Sequence, residues 1–307
     1  MTALSWLWLI SSIIYKPKNI EILAKVNEPT DISQIKGGFT AENLLDLMFI
    51  GGYYEVLPNA GYLTEINGAK FGLHDETPYI PWKLEYDEER DENSILLITT
   101  LRKVPLKIYK RISISDNIIK IDERVINQSK VPIPFSWLHH PAFGEGLIDE
   151  YARLEIPGKI AIEVDSSIPS ENACLEPGYK GTWPYALSKN GEMVDLSRVP
   201  PKGIINCDDL VYVPEVEIGT FNIVNKQKGV QFTANWDKSI YRTLWVWFPF
   251  GGGNTYPWYG RMHCMAVEIT TSYPASGLAE QVKLGRAKWI QPSGTIGSSI
   301  EYQINDI

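Results

Sequence analysis

The sequence predicts an all-β protein with few short helices, built as a sandwich or a barrel. The clearest sign is a period-two run. Leu106, Ile108, Ile112 and Ile114 alternate with Lys107, Tyr109, Arg111 and Ser113. After the turn Ser115-Asp116-Asn117, a second run alternates Ile119, Ile121, Glu123 and Val125 with Lys120, Asp122, Arg124 and Ile126. Two such runs around a turn are a hairpin. Residues 221–226 and 230–236 repeat the arrangement around Lys228-Gly229. No stretch carries the periodicity of a helix of ordinary length, and many short strands with Gly/Pro turns remain. No linker breaks the chain, which reads as a single domain over residues 1–307.

In order along the chain, the apolar start (residues 3–15) has no preceding positive charge and no small-residue cleavage site, so it is not read as a signal peptide. It is also too short to span a bilayer. Residues 7–15 are expected as a buried strand, punctuated by K-P-K-N at 16–19 and resumed at 20–23. A polar loop (27–39) and a short helix (41–48, capped by Thr40) come next. Residues 51–61, G-G-Y-Y-E-V-L-P-N-A-G, form a glycine and aromatic segment, and 71–82 a loop-rich stretch with His74 and Trp82. After the apolar run 94–101 and the first hairpin, Pro132 and Pro134 lead into S-W-L-H-H-P-A-F-G-E-G at 136–146.

The second half continues in the same manner. Residues 241–248 alternate Leu244, Val246 and Phe248 with Trp245 and Trp247. The loop Gly251-Gly252-Gly253-Asn254 lacks the Lys-Ser/Thr of a phosphate cradle. A strand at 263–271 holds Glu268, residues 276–284 read as brief helix or irregular chain, and 295–304 closes as strand.

Composition excludes several functions. With 29 Lys plus Arg against 37 Asp plus Glu, the net charge of -8 offers no basic face to nucleic acid. Nothing indicates a membrane role. Three cysteines, Cys174, Cys207 and Cys264, show no C-x-x-C spacing, so neither a zinc ribbon nor a disulfide framework is expected. A reducing, cytoplasmic setting fits that expectation. The oligomeric state is open, and a homodimer is compatible with it.

The chain has four histidines, all in aromatic or Gly/Pro-rich surroundings. His139 and His140 are adjacent, and on a strand their side chains point to opposite faces, so they cannot together hold a metal. The H-x-H of a cupin metal site is absent, and no metal site is expected. Pro141 holds His140 extended, and Gly144 and Gly146 would let the backbone bend towards a ligand. Glu268, in M-A-V-E-I-T, is either an exposed strand residue or a carboxylate on a polar concave face. In the second case partial burial raises its pKa and suits it to act as a base. His74 is a surface loop residue or a catalyst. His263 has the opposite parity to Glu268 and is read as structural. Trp82, Trp137 and Trp258 are core residues or sugar platforms. G-x-S-x-G is absent, and no cysteine has a poised histidine beside it, which leaves acid/base proton transfer as the available chemistry.

Five segments, in order, resemble the aldose 1-epimerase (galactose mutarotase-like) superfamily. They are I-S-S-I-I-Y-K-P-K-N-I-E-I-L, G-G-Y-Y-E-V-L-P-N-A-G, F-G-L-H-D followed by P-W, W-L-H-H-P-A-F-G and A-V-E-I-T-T-S-Y-P. The resemblance covers most of the chain and implies a galactose mutarotase-like β-supersandwich whose concave sheet face receives a sugar. It implies His74 as a residue that holds and polarises the sugar, His140 as general acid, with Phe143 at the offset of H-x-x-F, and Glu268 as general base. Trp82, Trp137, His139, Asn59 and Trp258 are the expected substrate contacts. No metal or organic cofactor is needed for interconverting the anomers of an aldose. Three departures stand out. Asp75 replaces the glycine after the first histidine. Phe49 and Ile50 stand where an arginine often precedes G-G, which disfavours a sugar phosphate. The substrate-binding aspartate could be Asp208, Asp209 or Asp237. Two other readings remain: a carbohydrate-binding protein without turnover, and a lyase or hydrolase on a related fold, for which Glu145 would be the second carboxylate.

Overall fold

Alternation gives each strand one apolar face, and two sheets built from such strands bury those faces by closing on each other. The computed structural model describes residues 9–26, 49–85, 92–167, 173–254 and 258–307. An eight-stranded sheet runs Ala152–Glu155, Thr220–Asn225, Val230–Trp236, Thr295–Asp306, Ile118–Asn127, Leu106–Ser115, Ser94–Thr100 and Lys83–Glu85 from edge to edge. A seven-stranded sheet runs Lys180–Thr182, Ala161–Val164, Cys207–Val213, Thr243–Phe250, Met265–Thr270, Leu138–Phe143 and Tyr53–Val56. Neighbouring strands are antiparallel throughout. Both expected hairpins form, with Ile112 opposite Ile121 and Phe221 opposite Ala234.

The sheets share one apolar core. Ile108, Ile121, Val125, Phe221 and Phe232 come from one side; Val211, Leu244, Val246, Val267 and Ile269 come from the other. Because successive side chains alternate, filling the core with these residues turns their neighbours Leu210, Trp245, Trp247 and Glu268 to the opposite face of the seven-stranded sheet. The site is built on that face.

Several expectations change. The expected buried strand at 7–15 is a two-residue strand, Ile14–Tyr15, that turns through Lys16–Lys18 and pairs with Ile20–Glu21. Ile14 is exposed, and residues 7 and 8, the loop at 27–39 and the helix at 41–48 lie outside the described residues. Within 276–284 the chain forms a single helix, Leu278–Lys283. Cys174 and Cys207 form a disulfide across 33 residues, correcting the expectation of unpaired cysteines; Cys264 is free and buried. A separation that long carries no spacing signal. Gly144 and Gly146 serve packing rather than a ligand: a Cβ on Gly146 would lie 1.8 Å from the Glu21 carbonyl oxygen, and one on Gly144 2.7 Å from the Ala24 Cα. No helix among the described residues is long and apolar enough to cross a membrane.

Candidate functional site

A cavity of about 290 Å³ opens on the outer face of the seven-stranded sheet. Register assembles its floor. Leu138–Thr270, His139–Ile269 and Ala142–Ala266 pair across two neighbouring strands, and this bracket sets His140 beside Glu268. Glu268 in turn pairs with Trp245, and His140 with Tyr54. His140 Nε2 lies 3.4 Å from Glu268 Oε1. His74 comes from the loop after the strand Ala69–Phe71, at φ 51°, with its N–H on the Gly61 carbonyl. Its ring stands 5.6 Å from that of His140. Gly61 lines the cavity at φ 157°, where a Cβ would lie 2.4 Å from the Ala275 carbonyl oxygen.

The walls are aromatic. Phe49 packs edge-on against Trp258 at 5.2 Å, Trp247 at 6.0 Å and His140 at 6.2 Å. Among the described residues, no lysine or arginine lines the cavity. Its ionisable groups are therefore dried without a cation to compensate. Burial holds Glu268 well above the usual carboxylate range. Burial lowers His140 to about 4, and burial together with the neighbouring His140 lowers His74 to about 3. The free site thus favours a neutral imidazole beside a protonated carboxyl, a pair holding one proton. Glu268 Oε2, His140 Nδ1 and His74 Nδ1 are buried with no hydrogen-bond partner among the described residues. Unsatisfied polar atoms gathered around one cavity can bond water or a ligand that enters it.

His74, His140, Glu268 and Trp258 line the cavity; Asn59, Trp82, Trp137 and His139 do not. Trp137 belongs to the core between the sheets, where its indole N–H donates to Glu55. Trp82 packs in the same core beside the Lys110 ammonium, its N–H on the Thr77 carbonyl. The Asn59 amide holds loops together, donating to the carbonyls of Gly61, Tyr62 and Gly72 and accepting the Leu278 N–H. His139 faces the core, as strand parity requires, between Tyr53 (2.8 Å), Tyr241 (2.9 Å) and Glu123 (3.1 Å).

That inner side holds an ionic cluster. Lys110 pairs with Glu55 and, at 3.3 Å, with Glu123. Burial and the Glu123 charge push Glu55 up to about 8. Burial opposes the ionised form of Glu123 too, but its neighbours His139 and Lys110 hold it down at about 2.

Of the three aspartates, Asp208 lines the cavity and accepts the Trp247 indole N–H at 2.8 Å; burial raises its pKa against that bond. Asp209 accepts the N–H groups of Cys174 and Leu175, and Asp237 closes a surface turn at Ser239. Asp75 is buried, ion-paired to Lys103 and bonded to the Gly72 N–H, so it supports the His74 loop. Glu145 is exposed and pairs with Lys202, away from the cavity. Trp245, Trp247 and Tyr54 line the cavity beyond the expected contacts. The tryptophans' alternation with Leu244, Val246 and Phe248 was the signal, since an aromatic face opposite an apolar core face needs something to cover it. Cys174, Cys207 and Asp209 cluster as metal ligands would, but the two sulfurs are joined to each other.

No protein-family model matches the chain, and no curated protein does. Solved structures do. A protein from Klebsiella pneumoniae, provisionally assigned as an aldose 1-epimerase, superposes with a TM-score of 0.67 at 15% identity, covering 94% of this chain and 75% of that one. A galactose mutarotase-like protein from Clostridium acetobutylicum gives 0.64 at 14% identity, over 97% and 90%. The Slr1438 protein from Synechocystis gives 0.65 at 12%, over 94% and 85%. The fold is the galactose mutarotase-like β-supersandwich.

Proposed function

We propose that the protein is an aldose 1-epimerase, interconverting the α and β anomers of a sugar without metal or cofactor. The observation that carries this reading is the His140–Glu268 pair, 3.4 Å apart on the floor of an aromatic cavity in which, among the described residues, no lysine or arginine takes part. A sugar ring stacks on aromatic faces and presents hydroxyls to Asp208, His74 and the orphaned atoms.

The reaction needs one proton exchanged at each of two oxygens. Glu268, ionised, takes the proton of the anomeric hydroxyl. The electrons of that O–H bond become the second bond of the aldehyde as the C1–O5 bond breaks, and protonated His140 delivers its proton to the ring oxygen. Rotation about C1–C2 turns the other aldehyde face to the ring oxygen, and closure returns both protons. The reactive ion pair and the neutral pair of the free site contain the same single proton, so no net proton enters or leaves. Hydroxyls that solvate the carboxylate bring the ionised form within reach.

Saturation-transfer NMR of anomer exchange across a panel of aldoses tests the reading. Exchange above the buffer rate that disappears in Glu268→Gln supports it. Binding without exchange for every sugar would instead establish a carbohydrate-binding protein. A second reading, hydrolysis, rests on Asp208 as a second carboxylate in the same cavity; release of new reducing ends from oligosaccharides would favour it.

A further inference from the structure

The stretch that carries Cys174 is joined to the strand Cys207–Val213 at the strand's first residue. Cys207 and Asp209 stand two apart on that strand, so alternation puts their side chains on one side of it. Both residues are buried, while Cys174 is half-buried and opens the cluster to solvent. The two sulfurs and a carboxylate oxygen of Asp209 all lie within 4.8 Å of one another.

This is the donor set of a thiophilic cation. Zinc takes thiolate sulfur at about 2.3 Å and carboxylate oxygen at about 2.0–2.2 Å, and two ligands on one tetrahedral ion stand about 3.5–4 Å apart. In the oxidised protein the sulfurs are bonded to each other and the two Cα atoms are 5.5 Å apart. With the S–S bond open, side-chain rotation alone brings the sulfurs to ligand spacing. The carboxylate is already oriented. Asp209 Oδ2 accepts the Cys174 N–H at 3.1 Å, and Oδ1 accepts the Leu175 N–H at 3.0 Å. Each oxygen keeps a second lone pair, and bonds of this kind are what aim a ligating carboxylate. Two thiolates and one carboxylate around a divalent ion leave one negative charge. The exposed Lys189 ammonium acts on Asp209 to offset it, against the neighbouring Asp208 carboxyl.

We propose that Cys174, Cys207 and Asp209 form a zinc site when the disulfide is reduced, with water in the fourth position. The stretch at 174 is then held to the strand either by the S–S bond or by the ion. A dithiol reductant gives the disulfide two electrons and two protons and becomes a disulfide itself, leaving two thiols on the protein. The ion displaces both thiol protons to solvent and takes the two thiolates.

The full chain, reduced with a dithiol and freed of it by anaerobic gel filtration, is titrated with Co²⁺ as the spectroscopic stand-in for zinc. One equivalent is expected to bring up the near-ultraviolet sulfur-to-cobalt charge-transfer band and the visible bands of a tetrahedral ion, and zinc to bleach both. The oxidised protein gives neither. Cys264→Ser leaves the bands unchanged, because that thiol is free and buried elsewhere. Asp209→Asn weakens cobalt binding by about tenfold or more, at least the worth of an outer-shell partner. Since Asp209 also tethers residues 174 and 175, Asp209→Cys separates ligation from folding: a third thiolate raises the charge-transfer intensity by about half. A reduced protein that shows no charge-transfer band in excess cobalt overturns the site, as does a band that Cys264→Ser removes. Binding unchanged in Asp209→Asn, with no gain of intensity in Asp209→Cys, takes Asp209 out of the ligand set and overturns it as well.

Discussion

His139 and His140 are adjacent in sequence and lie on opposite sides of one sheet, His140 in the cavity 3.4 Å from Glu268 and His139 in the core 3.1 Å from Glu123. Substitution should separate their roles. His140→Gln is expected to lower anomer exchange by about 10²–10⁴-fold, the usual worth of a general acid or base, with little change in stability. His139→Gln should cost about 1–3 kcal/mol of stability, because the Tyr53, Tyr241 and Glu123 groups lose a partner in a dry site. Exchange per folded molecule should stay within threefold. Urea unfolding with exchange NMR checks both, and equal losses of exchange would refute the division.

The pH profile comes from the pair. Exchange requires one proton shared between His140 and Glu268. Below the His140 value of about 4 both groups are protonated and the base is lost. Above the raised pKa of Glu268 both are deprotonated and the acid is lost. The expected profile is a plateau between those limbs, with His74, lowered to about 3, neutral across it. An acid limb at the ordinary histidine value, near pH 6.5, would contradict the burial described for His140.

Stability should depend on Glu268 with a defined sign. In the unfolded chain its carboxyl ionises above about pH 4.5; in the folded protein burial keeps it protonated to a much higher pH. The folded state therefore binds more protons over that window, and stability falls as pH rises through it. Glu268→Gln removes this dependence. The variant should be the more stable protein at pH 7–8, and its advantage should shrink towards pH 4. Thermal unfolding across pH 4–8 reads the two slopes, and parallel slopes would refute the assignment.

The hairpins at 106–127 and 220–236 were legible because both arms alternate and a turn joins them. The same alternation forecast that His139 and His140 part company. What sequence could not weigh was destination. Trp82, Trp137 and Trp258 are alike as residues, yet only Trp258 reaches the cavity, because the other two fill space between the sheets. Asn59 sits in a segment that borders the site, but its amide is used up on loop carbonyls. Asp208 could not be told from Asp209 or Asp237 before the Trp247 contact existed. The ionic cluster did leave a signal: Lys110 shares the parity of Ile108 and Ile112, and Glu123 that of Ile121 and Val125, so two charges fall on the core phase of the hairpin.

Those two charges support a direct test. Lys110 compensates Glu123 and touches Glu55 in a region where all three side chains are almost fully buried. Lys110→Met leaves the Glu123 carboxylate with less compensation and should cost about 3–5 kcal/mol. Adding Glu123→Gln removes the stranded charge and should recover part of that loss. Urea unfolding of the single and double variants decides it; a single variant as stable as the native protein would mean the cluster contributes no net electrostatic stabilisation.

The disulfide gives the last test. Cys174 and Cys207 are joined, while Cys264 stays buried and free, its thiol pushed above its ordinary range by burial. Thiol titration in denaturant without reductant should therefore count one thiol per chain, and three after reduction. Closing a loop of 33 residues restricts the unfolded chain, which by loop entropy is worth about 3–4 kcal/mol. Cys174→Ser should lower the unfolding free energy by up to that amount. It should also loosen residues 173–175, whose Cys174 and Leu175 N–H groups donate to Asp209. Hydrogen exchange at the Leu175 amide should rise in the variant while the amides of the Met265–Thr270 strand keep their protection. Three thiols counted without reductant would mean the pair is open in solution.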